Sequence, residues 1–262
     1  MPRRPLEIRL DQLAANRPIV TAHRGDPVAF PENTEAAFRA AASLGAEIIE
    51  FDIRETRDAA FVCIHDATFD RTTDSAAKFG RAAVRVDESS LADARTLDAG
   101  AGEPVPELRS AIASMHPAIP MIERKGGSAR ELVELLRSHD LVDDVFVQSF
   151  DWEWVAEVRK LAPELAIGLL GGDDDHPRLL AEDLETLTAL DAAFVHWQVD
   201  RVDQELVDAV HARGAKVCVF TANTDDEFER LTALGVDAIT TNHPARLIEF
   251  RSARAGEQPR SG

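Results

Sequence analysis

Short apolar runs rich in β-branched residues alternate with amphipathic segments from residue 18 to about 250. That alternation is the signature of repeated βα units. Eight runs read as strands: residues 18–23 (PIVTAH), 46–53 (AEIIEFDI), 118–124 (AIPMIER), 144–150 (DVFVQSF), 165–170 (LAIGLL), 192–197 (AAFVHW), 215–220 (AKVCVF) and 236–241 (VDAITT).

The intervening segments carry helix signals of their own. Ala37, Phe38, Ala41 and Leu44 fall on one helical face, and Gly45 supplies a left-handed stop. Ser128 with Glu131, and Thr224 with Glu227, read as capping boxes, and Asp151 and Asp203 as N-caps. Gly45-Ala46, Gly214-Ala215 and Gly235-Val236 repeat one junction, a helix stop followed directly by a strand.

Eight strands with helices between them fit a closed (β/α)8 TIM barrel or an open doubly wound sheet. The open sheet normally marks its ligand site with a glycine-rich turn, and no G-x-G-x-x-G is present. The barrel instead predicts polar residues at the C-terminal ends of several strands, which this chain has. We therefore expect one barrel domain over residues 1–262, an ordinary length for this fold. One stretch breaks the alternation: FVCIHD at 61–66 reads as an extra short strand, and residues 66–104 then pass before a helix at 105–115. That stretch is expected to form a small insertion over the barrel mouth, and residues 252–262 an unstructured tail.

Charge sharpens the picture. A formal net charge of -18 disfavours nucleic acid and anionic membrane surfaces, and it obliges any site for an anion to invert the field locally. The N-terminus lacks a signal-peptide core, and no segment approaches a membrane span, so a cytoplasmic location without membrane insertion is expected. Cys63 and Cys218 sit in apolar strand-like runs and read as core residues.

The candidate chemistry lies at strand ends. His23-Arg24 closes the first run, Glu50 and Asp52 share one face of the second, and Glu123 with Lys125 closes the third. Carboxylates aimed into a barrel are costly unless a cation lies between them. Three of them with no thiolate make a hard, oxygen-rich site suited to Mg²⁺ or Ca²⁺.

With these residues in place the chain resembles the glycerophosphodiester phosphodiesterase family. The resemblance is carried by His23-Arg24-Gly25, Pro31-Glu32-Asn33-Thr34, Gly45-Ala46, Ile49-Glu50-Phe51-Asp52, His65-Asp66, Arg71-Thr72-Thr73, Glu123-Arg124-Lys125, Gln148-Ser149-Phe150 and Thr221-Ala222-Asn223-Thr224. It implies a (β/α)8 barrel with an insertion after the second strand, and hydrolysis of a glycerophosphodiester to glycerol 3-phosphate and an alcohol. It further implies a divalent cation, Mg²⁺ or Ca²⁺, on Glu50, Asp52 and Glu123, and His23 and His65 as general acid and base. Arg24, Lys125, Asn33 and Gln148 are implied to bind substrate. At this point the choice between the two histidines is open, as is the choice between water and a substrate hydroxyl as nucleophile.

Two positions depart from the family pattern: Asn242 stands where an Asp is common, and Phe220 where a Trp is common. Asp173-Asp174-Asp175 reads as a solvated loop, and the remaining histidines as structural, with His196 the exception because it ends a strand at the same rim. Two other functions fit the pattern: a phosphodiesterase acting on lipid head groups, which needs an apolar rim, and a non-catalytic barrel that binds metal or phosphate.

Overall fold

The structure is a computed structural model and describes residues 3–15 and 17–257. In chain order it runs α1 (Pro5–Ala14), β1 (Ile19–His23), α2 (Glu35–Leu44), β2 (Ile48–Glu55), β3 (Phe61–Cys63), α3 (Ser75–Phe79), α4 (Leu91–Ala94), α5 (Leu108–Ser114), β4 (Ile119–Arg124) and α6 (Ala129–Ser138). It continues with β5 (Phe146–Ser149), α7 (Trp152–Leu161), β6 (Ala166–Gly171), α8 (Ala181–Ala189), β7 (Phe194–Gln198), α9 (Gln204–His211), β8 (Lys216–Phe220), α10 (Asp225–Leu234), β9 (Ala238–Thr241) and α11 (Pro244–Glu257). All eight expected strands form. They pair in parallel in the order β1-β9-β8-β7-β6-β5-β4-β2, and a β1–β2 pairing closes the ring. The fold is a (β/α)8 barrel.

Strand alternation divides the core in two. Val20, Ile49, Phe51, Ile122, Val147, Ile167, Val195, Val217 and Ile239 pack outward with the helices. Ile19, Ile48, Ile119, Met121, Phe146, Phe194 and Cys218 fill the barrel interior together with Leu6 and Leu10 of α1. Helix α1 therefore plugs the N-terminal end, an element the strand-and-helix pattern did not mark. Arg4 anchors it by donating to the carbonyl of Pro163 at 3.1 Å and to the Asp191 carboxylate at 2.7 Å. Gly168 makes room for this packing, because a Cβ there would lie 2.1 Å from the Phe194 ring. Both cysteines are buried and free.

Caps follow the sequence with one difference. Asp151 and Asp203 accept from the backbone of Trp154 and Leu206, and Thr224 with Glu227 forms a full capping box. Ser128 caps α6, but Glu131 does not reach back, because the Ser128 N–H already donates to Glu55 at 2.7 Å.

The expected tail is also corrected: residues 252–257 continue α11. The helix holds because Phe250 packs on Phe228, with ring centroids 5.6 Å apart, and Arg251 donates to the Pro18 carbonyl at 3.0 Å. The rest of the expected tail, 258–262, lies outside the described residues.

β3 pairs antiparallel with the end of β2, and residues 66–104 build α3, α4 and a separate apolar cluster that includes Phe69, Val84, Val86 and Leu97. Among the described residues no helix is long and apolar enough to cross a membrane.

Candidate active site

The alternation that buries Ile48 and Met121 at the barrel bottom turns Glu50, Asp52 and Glu123 inward nearer the C-terminal mouth. Register brings them together: Asp52 lies opposite Glu123, and His23 opposite Glu50. One oxygen from each of the three carboxylates falls within 4.8 Å of the others, and all three residues are buried. Among the described residues, both oxygens of Glu50 and Oδ1 of Asp52 have no hydrogen-bond partner. Burial, with the neighbouring carboxylates adding to it, pushes Glu50 well above the ordinary carboxylate range. Burial also raises Glu123, against the pull of Lys125. For Asp52, Arg24 and Lys125 outweigh burial and hold the group below its ordinary value.

Cationic side chains rim this cluster, as an acidic protein binding an anion requires. Arg24 follows β1 with a left-handed φ of 58°, and its N–H donates to the Glu50 carbonyl at 2.7 Å. Gly25 continues the turn so close to α2 that a Cβ would meet the Ala37 backbone at 2.6 Å. Arg24 Nε lies 3.0 Å from Asp52, and its Nη1 donates to Glu32 at 2.9 Å. Lys125 pairs with Glu123 and stands 3.7 Å from Asp52. Asn33, expected to bind substrate, is held against Asp52. Its amide donates to Asp52 Oδ2 at 2.9 Å, and its Oδ1 accepts from the Asp52 N–H at 3.1 Å, so it clamps the carboxylate.

The histidines sit in unlike surroundings. His23 Nδ1 lies 2.7 Å from Asn242 Oδ1, and its Nε2 faces Glu50 at 3.9 Å. Burial, and then the charge of Arg24, lowers its pKa to about 4. His65 is carried to the mouth by β3, and Arg54 holds its carbonyl at 2.8 Å. Its Nδ1 lies 2.7 Å from the Asp66 carboxylate, which is also bonded by Arg71 at 2.6 Å. Arg71, chiefly, and then His65 hold Asp66 at about 2. Arg71 reaches on to Glu32 at 2.8 Å, so one ionic chain joins His65 to Arg24.

Gln148 lies beside Glu123 in the register, fully buried, with its Nε2 unpartnered. Its Oε1 bonds His196 Nδ1 at 2.9 Å, and His196 Nε2 bonds the Thr240 hydroxyl at 2.8 Å. His196 thus joins the site through Gln148. Asp66, Glu32 and Arg71 were visible only as parts of a matching run, with no role attached. The Asp173 loop is tied to Arg201 and His176 through Asp173 and Asp174.

The donor set suits a hard divalent ion. Three buried carboxylates at this spacing are costly to ionise together with only Arg24 and Lys125 beside them, and the unpartnered Glu50 oxygens are what such an ion would satisfy. Anion contacts are available beside it from Arg24 and Lys125. The arrangement puts anion-binding side chains and two imidazoles close to one acidic cluster.

The sequence profile of the glycerophosphoryl diester phosphodiesterase family matches residues 23–246. The chain is 32% identical over 247 residues to the glycerophosphodiester phosphodiesterase of Caldanaerobacter subterraneus, covering 88% of this chain and 97% of that one. It is 30% identical over 265 residues to the probable glycerophosphodiester phosphodiesterase 1 of Mycobacterium tuberculosis, covering 90% and 93%. Among solved structures it resembles an Oleispira antarctica phosphodiesterase in complex with the product sn-glycerol-3-phosphate, at 27% identity and a TM-score of 0.79 over 91% of this chain and 98% of that one. From the barrel, the acidic cluster with its cationic rim, and these likenesses together, the chain belongs to the glycerophosphoryl diester phosphodiesterase family.

Proposed function

We propose that this phosphoric diester hydrolase cleaves glycerophosphodiesters to glycerol 3-phosphate and an alcohol, using a divalent cation and the pair His23 and His65. The observation that supports this most strongly is the buried carboxylate cluster, with both Glu50 oxygens unpartnered among the described residues, set beside Arg24, Lys125 and His23. A cation held by Glu50, Asp52 and Glu123 would supply charge stabilisation for the phosphoryl oxygens. Arg24 and Lys125 hold those oxygens and offset the charge that grows as the nucleophile adds.

The two histidines divide the proton work according to their partners. Burial, and then the charge of Arg24, outweigh the opposing hydrogen bond to Asn242 and keep the His23 ring neutral, its Nε2 ready to take the proton of the nucleophile. Burial lowers His65 overall, but unlike His23 it has a carboxylate, Asp66, on Nδ1 that opposes this and would stabilise the imidazolium, so His65 is assigned to protonate the departing alkoxide. Gln148, with its free amide N–H, and Lys125 orient the phosphate. Hydrolysis in labelled water separates the two nucleophiles. A transient cyclic phosphate shows attack by the glycerol hydroxyl, and direct label in glycerol 3-phosphate without one shows attack by water.

A second substrate class has one observation in its favour. On the loop after β1, Val28 is 65% exposed and Phe30 42% exposed, beside the residues that hold Arg24. An apolar edge there suits the acyl chain of a lysophospholipid. Cleavage of lysophosphatidylcholine with none of glycerophosphocholine would favour that class over the first.

A further inference from the structure

We propose that Asn242 is a positioning residue that fixes His23 in the tautomer with its proton on Nδ1 and its Nε2 lone pair bare toward the carboxylate cluster. This rests on the assignment of His23 as proton acceptor and states what prepares it for that task.

A neutral imidazole carries one N–H. The acceptor facing Nδ1 is the Asn242 carbonyl oxygen at 2.7 Å, an ordinary hydrogen-bond distance. The group facing Nε2 is Glu50 Oε2 at 3.9 Å, beyond hydrogen-bond reach. With the proton on Nδ1 the short contact is a hydrogen bond. With it on Nε2, two lone pairs would oppose each other across the same gap unless the Asn242 amide turned over to donate through Nδ2.

Asn242 is itself held in place. Its backbone N–H donates to Asn223 Oδ1 at 2.9 Å, and the N–H of Asn223 donates to Glu227 at 2.7 Å. Glu227 also closes the capping box of α10. A chain of hydrogen bonds thus runs from the first turn of α10, through the end of β9, to the end of β1. Barrel closure brings the last unit against the first and so sets the ring of a residue 219 positions away. Asn242 carries no charge, so it orients the imidazole without adding a carboxylate beside Glu50.

The tautomer can be read without turnover, by long-range proton–nitrogen correlation NMR on the full chain at neutral pH after chelator treatment, with His23 assigned through His23→Gln. Wild type is expected to show a pyrrole-like Nδ1 and a pyridine-like Nε2. Asn242→Leu cannot accept a hydrogen bond. It is expected to show averaged or inverted nitrogen shifts and a kcat lower by on the order of 100-fold, with KM for glycerophosphocholine little changed. Asn242→Asp keeps the acceptor, so its Nδ1 is expected to stay pyrrole-like, while the added carboxylate moves protonation of Nε2 to higher pH.

If Asn242→Leu does not fold, Asn223→Ala serves instead, because it frees Asn242 while leaving its amide intact, and the same shift changes are expected. An Nε2–H tautomer in wild type, or an accepting-group deletion that leaves both shifts and kcat unchanged, would overturn the proposal. A wild type inactive on every glycerophosphodiester would overturn the functional reading instead, and the nitrogen shifts would still decide the role of Asn242.

Discussion

At the scale of single residues, the site was legible wherever its logic is local. Glu50 and Asp52 share a strand face, and Glu123 ends a strand, so period-two alternation and the barrel rule suffice to find them. The partners of those residues were not legible, because they come from distant elements. Asn33 was assigned to substrate by resemblance, yet both ends of its amide hold Asp52. Asn33→Ala is therefore expected to weaken divalent-ion affinity by about 10- to 100-fold, as loss of a ligand's orienting partner does. An ion titration of activity would show this as a right-shifted curve with kcat recovered at saturation. Arg71 likewise acts through others, holding Asp66 and Glu32. In Arg71→Met the Asp66 carboxyl should rise from about 2 toward its ordinary value. Carbon-detected NMR titration would follow that rise, and kcat should fall as His65 loses its fixed partner.

At the scale of elements, the strands were readable because each is a short β-branched run bounded by turn signals. Most caps were readable because they are contacts of a few residues. Helix α1 was missed for a physical reason: its buried face is just Leu6 and Leu10, and its partners are inward residues of several strands. Leu10→Ala should cost about 2–5 kcal/mol, because the plug would leave a cavity over Phe146 and Phe194. Chemical denaturation would show it as a lower midpoint at an unchanged slope. Gly168→Ala pushes a methyl into the Phe194 ring and should destabilise by about 1–3 kcal/mol, visible as a lower Tm. The end of α11 was read as tail because its sequence is polar, whereas Arg251 and Phe250 tie that turn to the body.

At the scale of the whole molecule, an acidic chain concentrates Arg24 and Lys125 around three buried carboxylates, which with a divalent ion on them would let it hold an anion there. Glu50 and Glu123 are both raised in the fold, chiefly by burial, Glu123 to about 7. Between the ordinary carboxylate value and those raised values the folded state binds more protons than the unfolded one. Stability of the cation-free protein therefore falls as pH rises through that window. A divalent ion displaces those protons, so its stabilising effect should grow from pH 5 to pH 7, and binding should release protons to buffer. Calorimetry in two buffers of different ionisation enthalpy measures that release, and an equal heat in both would contradict it. The central claim, a cation-assisted two-histidine phosphodiesterase, is tested most directly by glycerol 3-phosphate release from a panel of glycerophosphodiesters, for wild type and His23→Ala, with and without chelator. The account predicts turnover that chelator abolishes and added Mg²⁺ or Ca²⁺ restores, with His23→Ala slower by about 10²–10⁴-fold. Turnover indifferent to chelator, or a fully active His23→Ala, would contradict it.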